Sequence, residues 1–153
     1  MDYQVKLKHF SELSTDELYD IMAIRQDIFV VEQNCPYLDA DGKDKFAHHL
    51  MIINKDGIIL AYSRLLPEGI SYGGYTSIGR VITKSSERGT GLGKKLMEQS
   101  IQSCGELFGK NYDIQIGAQS YLKLFYESLG FKTIGAEYLE DGIPHLHMIR
   151  RWL

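Results

Sequence analysis

Arg88-Gly89-Thr90-Gly91-Leu92-Gly93-Lys94 is the stretch on which the reading of this chain turns. Ser77 to Thr83, just before it, reads as a strand. After it Leu92, Leu96, Met97, Ile101, Cys104 and Phe108 recur at helical spacing. A glycine-rich turn between a strand and a helix aims free backbone N–H groups and the positive helix end at an anion. Glycine also lets the backbone approach that anion closely. A pyrophosphate fits, with Arg88 and Lys94 adding charge. A Walker A loop fits worse, because three residues rather than four separate Gly89 from Gly93 and Lys95 follows Lys94. A dinucleotide fingerprint fits worse too, because the third glycine comes one residue early. From the loop alone, a tight turn without a ligand is an equal reading.

Working outward, Tyr3 to His9 alternates as a strand. Ser14 and Glu17 form a capping box that opens a helix from about Thr15 to Phe29, with Leu18, Ile21, Met22, Arg25 and Ile28 at helical spacing. Val31 to Lys45 is a polar loop holding Asp39, Asp41 and Asp44. His48 to Asn54 and Ile58 to Leu65 flank Asn54-Lys55-Asp56-Gly57, a hairpin signal. Beyond the central helix, Tyr112 to Ala118 reads as a strand. Ser120 caps a short helix through Leu129 that Gly130 stops. Phe131 to Tyr138 and His145 to Trp152 are the last strands. The order β-α-β-β-β-α-β-α-β-β predicts one α+β domain over 1–153, built on a mixed sheet flanked by helices.

The chain has 153 residues, an ordinary single-domain length. Its formal charge of −3 makes it a poor candidate for binding nucleic acid. No apolar run approaches the roughly 20 residues a membrane helix needs. The N-terminus has no signal-peptide pattern, so a cytoplasmic location is expected. Cys35 and Cys104 form no metal spacing and read as packing residues, and no metal is expected. The charge is unevenly placed: residues 1–50 carry 5 basic and 10 acidic side chains. Residues 78–95 hold Arg80, Lys84, Arg88, Lys94 and Lys95 against Glu87 alone. Solvated faces explain both. So do a phosphate cradle and an acidic half that attracts an amine.

Arg88-x-x-Gly91-x-Gly93 resembles the [Gln/Arg]-x-x-Gly-x-[Gly/Ala] motif of the GCN5-related N-acetyltransferases, the GNAT superfamily. Leu124-Phe125-Tyr126-Glu127-Ser128-Leu129-Gly130-Phe131 resembles that family's Phe-Tyr-x-x-x-Gly-Phe segment. Residues 24–37 with Asp39 and Asp41-Gly42, residues 78–82, and Glu140-Asp141-Gly142-Ile143-Pro144-His145 are similar to the ElaA-like branch. Two positions depart. Gln119 stands where many members have Asn, and Leu122 stands where a small residue is common.

The resemblance implies a mostly antiparallel sheet splayed in the middle, with acetyl-CoA entering between Ile78–Thr83 and Tyr112–Ala118. Backbone of Val81, Ile82 and Thr83 would pair with the pantetheine arm. An N–H at Val81 or Ile82 would polarise the thioester carbonyl. Residues Arg88, Gly89, Thr90, Gly91, Leu92, Gly93 and Lys94 would hold the pyrophosphate, and Gln119 would contact the pantetheine. Tyr126 matches the family's general acid, since a phenol of pKa about 10 can protonate a thiolate whose conjugate acid lies near ~8.5. Its alternative is a packing role on the short helix.

Glu32 is the leading base for the acceptor amine. His48, His49 and His145 are alternatives, because imidazole titrates near neutral pH. Arg80 either holds an acidic group of the acceptor or pairs with Glu87 or Asp41. The expected activity is acetyl transfer to a primary amine on a small molecule or peptide, by direct attack. Acyl-homoserine-lactone synthesis on the same fold and non-enzymatic CoA binding are the alternatives. Exposed strand edges could pair two copies as a homodimer.

Overall fold

The computed structural model describes residues 2–152. Seven strands form one sheet: β1 (Tyr3–His9), β2 (His48–Asn54), β3 (Ile59–Leu66), β4 (Tyr75–Thr83), β5 (Asp113–Gln119), β6 (Phe131–Glu140) and β7 (Ile143–Arg150). Their order is β1-β2-β3-β4-β5-β7-β6. Every neighbouring pair is antiparallel except β4 and β5, which run parallel and pair only at Tyr75–Asp113, Thr76–Ile114 and Ser77–Gln115. Beyond Ser77 the two strands part, and the predicted splay is present.

Helix α1 (Thr15–Arg25) begins as the capping box predicts: Glu17 N donates to Ser14 Oγ at 3.0 Å, and Ser14 N donates to Glu17 Oε1 at 2.9 Å. It does not stop at Phe29. A π-helical turn carries it on through Gln26–Glu32, with Gln33 N donating to Ile28 O and Cys35 N to Val30 O. The expected loop therefore begins two residues later than its sequence indicates.

Helix α2 (Leu92–Phe108) packs on the opposite face of the sheet from α1. Strand β2 shows why its sequence does not alternate. Leu50 and Ile52 pack with Leu92 and Leu96, while Met51 and Ile53 pack with Ile21 and Ile28. A strand buried on both faces reads as a continuous apolar run. The larger cluster joins α2 and the short helix α3 (Lys123–Glu127) through Met97, Ile101, Tyr126, Leu146 and Met148.

Ser120 does not cap α3. A 3-10 turn over Ser120–Leu122 precedes the helix, and Ser120 Oγ is buried without a hydrogen-bond partner. The final strand begins and ends two residues early. Its two C-terminal neighbours leave the sheet, and Trp152 Nε1 donates to the Tyr112 carbonyl at 2.8 Å.

Candidate functional site

Where β4 and β5 separate, a cleft of about 820 Å³ opens between them. One wall is β4 from Ile78 to Thr83, whose edge toward β5 has no strand partner. Within it Arg80 and Val81 both face the single residue Ser63, because Tyr62 pairs with Ile82 and Arg64 with Gly79. Arg80 sits at the centre of this bulge with φ +50°, an unusual conformation for a non-glycine residue. The other wall is β5 from Ile116 to Gln119, backed by Phe125 and Tyr126 of α3.

One end of the cleft is the glycine loop. Gly89 and Gly91 have φ of +82° and +86°, in the left-handed region that glycine enters without strain. Gly91 caps α2, and the Thr90 hydroxyl closes the turn by donating to the Glu87 carbonyl at 2.6 Å. At Gly93 a Cβ would lie 3.2 Å from Thr83 Oγ1, so the helix start lies hard against β4. The residues present fit a pyrophosphate: two glycines, the N-terminus of a 17-residue helix, and the Arg88 guanidinium all meet at the cleft.

Of the residues singled out in the sequence, Glu32, Val81, Ile82, Thr83, Arg88, Gly89, Gly93, Gln119 and Tyr126 line this cleft. Thr90, Gly91, Leu92 and Lys94 do not. The Leu92 side chain is buried against Leu50, Ile52 and Leu96, where it anchors α2, which leaves its backbone N–H as the group it can offer a ligand. Lys95 lies over the Tyr3 ring, so the basic run from 80 to 95 is not one continuous cradle.

Tyr126 is almost wholly buried, and burial pushes its phenol well above the usual range. The hydroxyl therefore stays protonated and able to donate at any physiological pH. Gln119 Nε2 donates to Gln33 Oε1 at 3.3 Å, tying the end of β5 to the end of the first helix. Glu32 is not a free carboxylate: Arg88 donates to its Oε2 at 2.7 Å, and both side chains are about half exposed. Cys35 and Cys104 are buried. Cys35 Sγ donates to the Asp141 carbonyl at 3.6 Å, and burial pushes the Cys104 thiol up to about 12.

The acidic loop is less a solvated face than a closed ring of charges. Arg25 pairs with Asp39 and Asp44, Arg64 with Asp44 and Asp41, and Arg80 with Asp41 and Asp39. Arg25 has no exposed surface, and Asp39, Asp44 and Arg64 are also buried. The arginines hold Asp41 at about 2 and keep Asp44 below the usual carboxylate range. Arg64 and Arg80 thus offset two of the five net negative charges of the first fifty residues. Arg80 pairs with Asp39 and Asp41, not Glu87. The signal for this ring was present in the sequence. Arg25 stands on the apolar stripe of α1 between Ile21 and Ile28, and a buried cation needs acidic partners.

Two of the three histidine candidates do structural work elsewhere. His49 is buried, with Nε2 at 3.0 Å from the Asp44 carbonyl and Nδ1 at 2.6 Å from the Tyr62 hydroxyl. A carbonyl only accepts, so Nε2 carries the proton and Nδ1 takes that of Tyr62. His48 lies against His9 and Phe108, and burial lowers its pKa. His145 alone lines the cleft. Among the described residues there is no group of three or more His, Cys, Asp or Glu placed to hold a metal. No helix of the described residues is long and apolar enough to cross a membrane.

A family profile described as an acetyltransferase (GNAT) domain matches residues 40–151. Escherichia coli ElaA is 39% identical over 143 residues, covering 93% of this chain and 92% of that protein. The crystal structure of E. coli ElaA superposes with a TM-score of 0.90 over 97% of this chain and 99% of its own. That of an acyl-CoA N-acyltransferase from Pseudomonas aeruginosa, 40% identical, superposes with the same TM-score of 0.90 and the same coverage.

Proposed function

The chain belongs to the GNAT acetyltransferase family, and on that premise we propose that it moves an acetyl group from acetyl-CoA to a primary amine by direct attack. One observation carries this reading: the glycine loop, the bulged free edge of β4 and Tyr126 all contribute to the lining of one cleft. When bound, acetyl-CoA supplies a thioester whose carbonyl carbon the amine attacks.

Each wall has a task in that reaction. Backbone N–H groups at Gly89 to Gly93 and the Arg88 guanidinium hold the pyrophosphate. The unpaired edge of β4 from Val81 to Thr83 takes the pantetheine as a strand takes a partner. An N–H of the bulge, at Val81 or Ile82, polarises the thioester carbonyl as an oxyanion-hole donor does. Gln119 supports the same arm with its longer amide in place of Asn. Tyr126 gives its proton to the departing sulfur as the C–S bond breaks.

Glu32, the base expected from sequence, becomes available to an amine only after a pyrophosphate has drawn Arg88 away. The acceptor is a small molecule or peptide bearing a primary amine. Calorimetry with acetyl-CoA and CoA, followed by thiol release over a panel of amines, tests the reading. Failure of either ligand to bind at millimolar concentration overturns it. Binding without thiol release from any amine would leave a CoA-binding module instead.

A further inference from the structure

We propose that His145 Nε2 takes the proton of the acceptor amine and that Glu140 stabilises the imidazolium so formed. The inference rests on the N-acetyltransfer reading above and adds the base to it.

The tautomer of His145 is fixed by its own strand. Nδ1 lies 2.7 Å from the Ile143 carbonyl, which only accepts, so Nδ1 carries the proton. Nε2 is left with its lone pair, 3.5 Å from Glu140 Oε2. While the ring is neutral these two acceptors cannot bond. Once Nε2 has taken a proton it can donate to Glu140, and the two form an ion pair. The site is therefore better satisfied after proton transfer than before it, which is what a base requires. The groups around the ring are Tyr138 and Glu140 from β6, and Gln119, its register partner on β5. None of these is a cation. The 58% exposure of the Glu140 side chain leaves it free to follow the ring.

Two other carboxylates of the cleft have cationic partners in the free protein: Glu32 is paired to Arg88, and Asp41 is held at about 2 by Arg64 and Arg80. Both ring nitrogens of His49 are used. The alternation of β7 then separates acid from base. Leu146 and Met148 share a core with Tyr126, so His145 projects from the opposite face of the sheet. The gap between β4 and β5 connects the two faces. The amine approaches from the His145 side, and the sulfur leaves on the Tyr126 side.

The protons balance. An ammonium gives its first proton to His145 Nε2. The neutral nitrogen forms the C–N bond as the C–S bond breaks. The bonding pair goes to sulfur, which takes the Tyr126 hydroxyl proton. The second nitrogen proton restores Tyr126 through water, and His145 releases its own to solvent. One amide, one thiol and one free proton result.

The test combines a resting-state readout with kinetics. Nitrogen-15 NMR of histidine-labelled protein should place the His145 proton on Nδ1; a proton on Nε2 overturns the assignment. Thiol release from acetyl-CoA is then measured against spermidine, tyramine, lysine and a peptide with a free N-terminus. His145→Gln should lower kcat about 100-fold or more, leave CoA affinity by calorimetry unchanged, and abolish the acidic limb of the kcat/KM profile. Glu140→Gln should lower kcat by less than His145→Gln does and leave CoA affinity unchanged, and Glu32→Gln should retain the limb. Undiminished turnover in His145→Gln, or loss of the limb in Glu32→Gln instead, overturns His145 while the transferase stands. Absence of thiol release from every amine overturns the transferase reading and the base with it.

Discussion

Arg80 Nε donates to Asp39 Oδ1 at 2.7 Å, and the same guanidinium reaches the Asp39 carbonyl at 3.1 Å. This contact joins the loop after the first helix to the bulge of β4, across 41 residues of sequence. It holds Arg80 at a positive φ and so shapes the strand edge that faces the cleft. Asp39 also pairs with Arg25, so one carboxylate links the interior of the fold to the wall of the site. Burial makes the Asp39–Arg25 half of this link brittle, because neither of those partners can fall back on water.

Asp39→Ala should therefore destabilise the protein by about 3–5 kcal/mol, the usual cost of removing one partner from a buried ion pair. Arg25, which has no exposed surface, would keep Asp44 as its one carboxylate partner. Urea unfolding measures this directly. A loss below about 1 kcal/mol, typical of an exposed pair, would show that the ring does not hold the loop.

Stability should also fall on acidification. Arg64 and Arg80 lower Asp41 from an ordinary 3.8 to about 2, and Arg25 and Arg64 keep Asp44 below its ordinary value. Glu17, bonded to Ser14 and Lys8, is lowered from 4.5 to about 2. Depressed carboxylates stabilise the fold fully above their unfolded values and lose that contribution as pH drops through the folded ones. Unfolding free energy should thus decline between about pH 4.5 and pH 2, and more shallowly in Asp41→Asn. An equal slope in that variant would remove Asp41 from the account.

The order of elements was legible because amphipathic elements keep their periodicity and a strand buried on both faces, such as β2, reads as an apolar run. Ser14 with Glu17, and Asn54 with Gly57, marked their boundaries through local chemistry that needs no tertiary context. The π-helical turn was not legible, since it depends on where Gln33 and Cys35 find carbonyls. The site divides in the same way. The glycine loop announces itself by sequence, but the Glu32–Arg88 pair spans 56 residues and the charge ring closes only in three dimensions. Leu92, adjacent to the motif glycines, turned into the core because the first turn of α2 must also anchor it.

Tyr126→Phe should bind CoA as the parent does and lose turnover by roughly 100- to 10,000-fold, the range general acid catalysis contributes. The ring stays packed against Phe125 and Phe131, and only the hydroxyl is removed. Calorimetry and thiol release on the same sample separate the two effects. Unchanged turnover would reassign Tyr126 to packing.

Gly91→Ala probes the loop through its backbone. A Cβ there meets nothing within 4 Å, but φ is +86°. The cost is conformational, about 1–2 kcal/mol for an L-residue held in the left-handed region. The helix start should loosen, with a lower Tm and a several-fold weaker CoA affinity. Wild-type affinity with a lowered Tm would mean that the loop serves the fold alone.

Glu32→Gln separates the two partners of Arg88. The pair is about half exposed, so its removal should change stability by less than about 1 kcal/mol. Its effect on the ligand should be larger and opposite in sign. Arg88 donates to Glu32 at 2.7 Å in the structure, and a pyrophosphate must compete with that carboxylate for the guanidinium. Neutralising Glu32 removes the competitor, so CoA should bind more tightly in Glu32→Gln and more weakly in Arg88→Ala. The double variant should resemble Arg88→Ala, because Glu32 acts on the ligand through Arg88. Calorimetry on the four proteins closes this cycle. Weaker CoA binding in Glu32→Gln would mean that the carboxylate holds Arg88 in its binding position instead of withholding it.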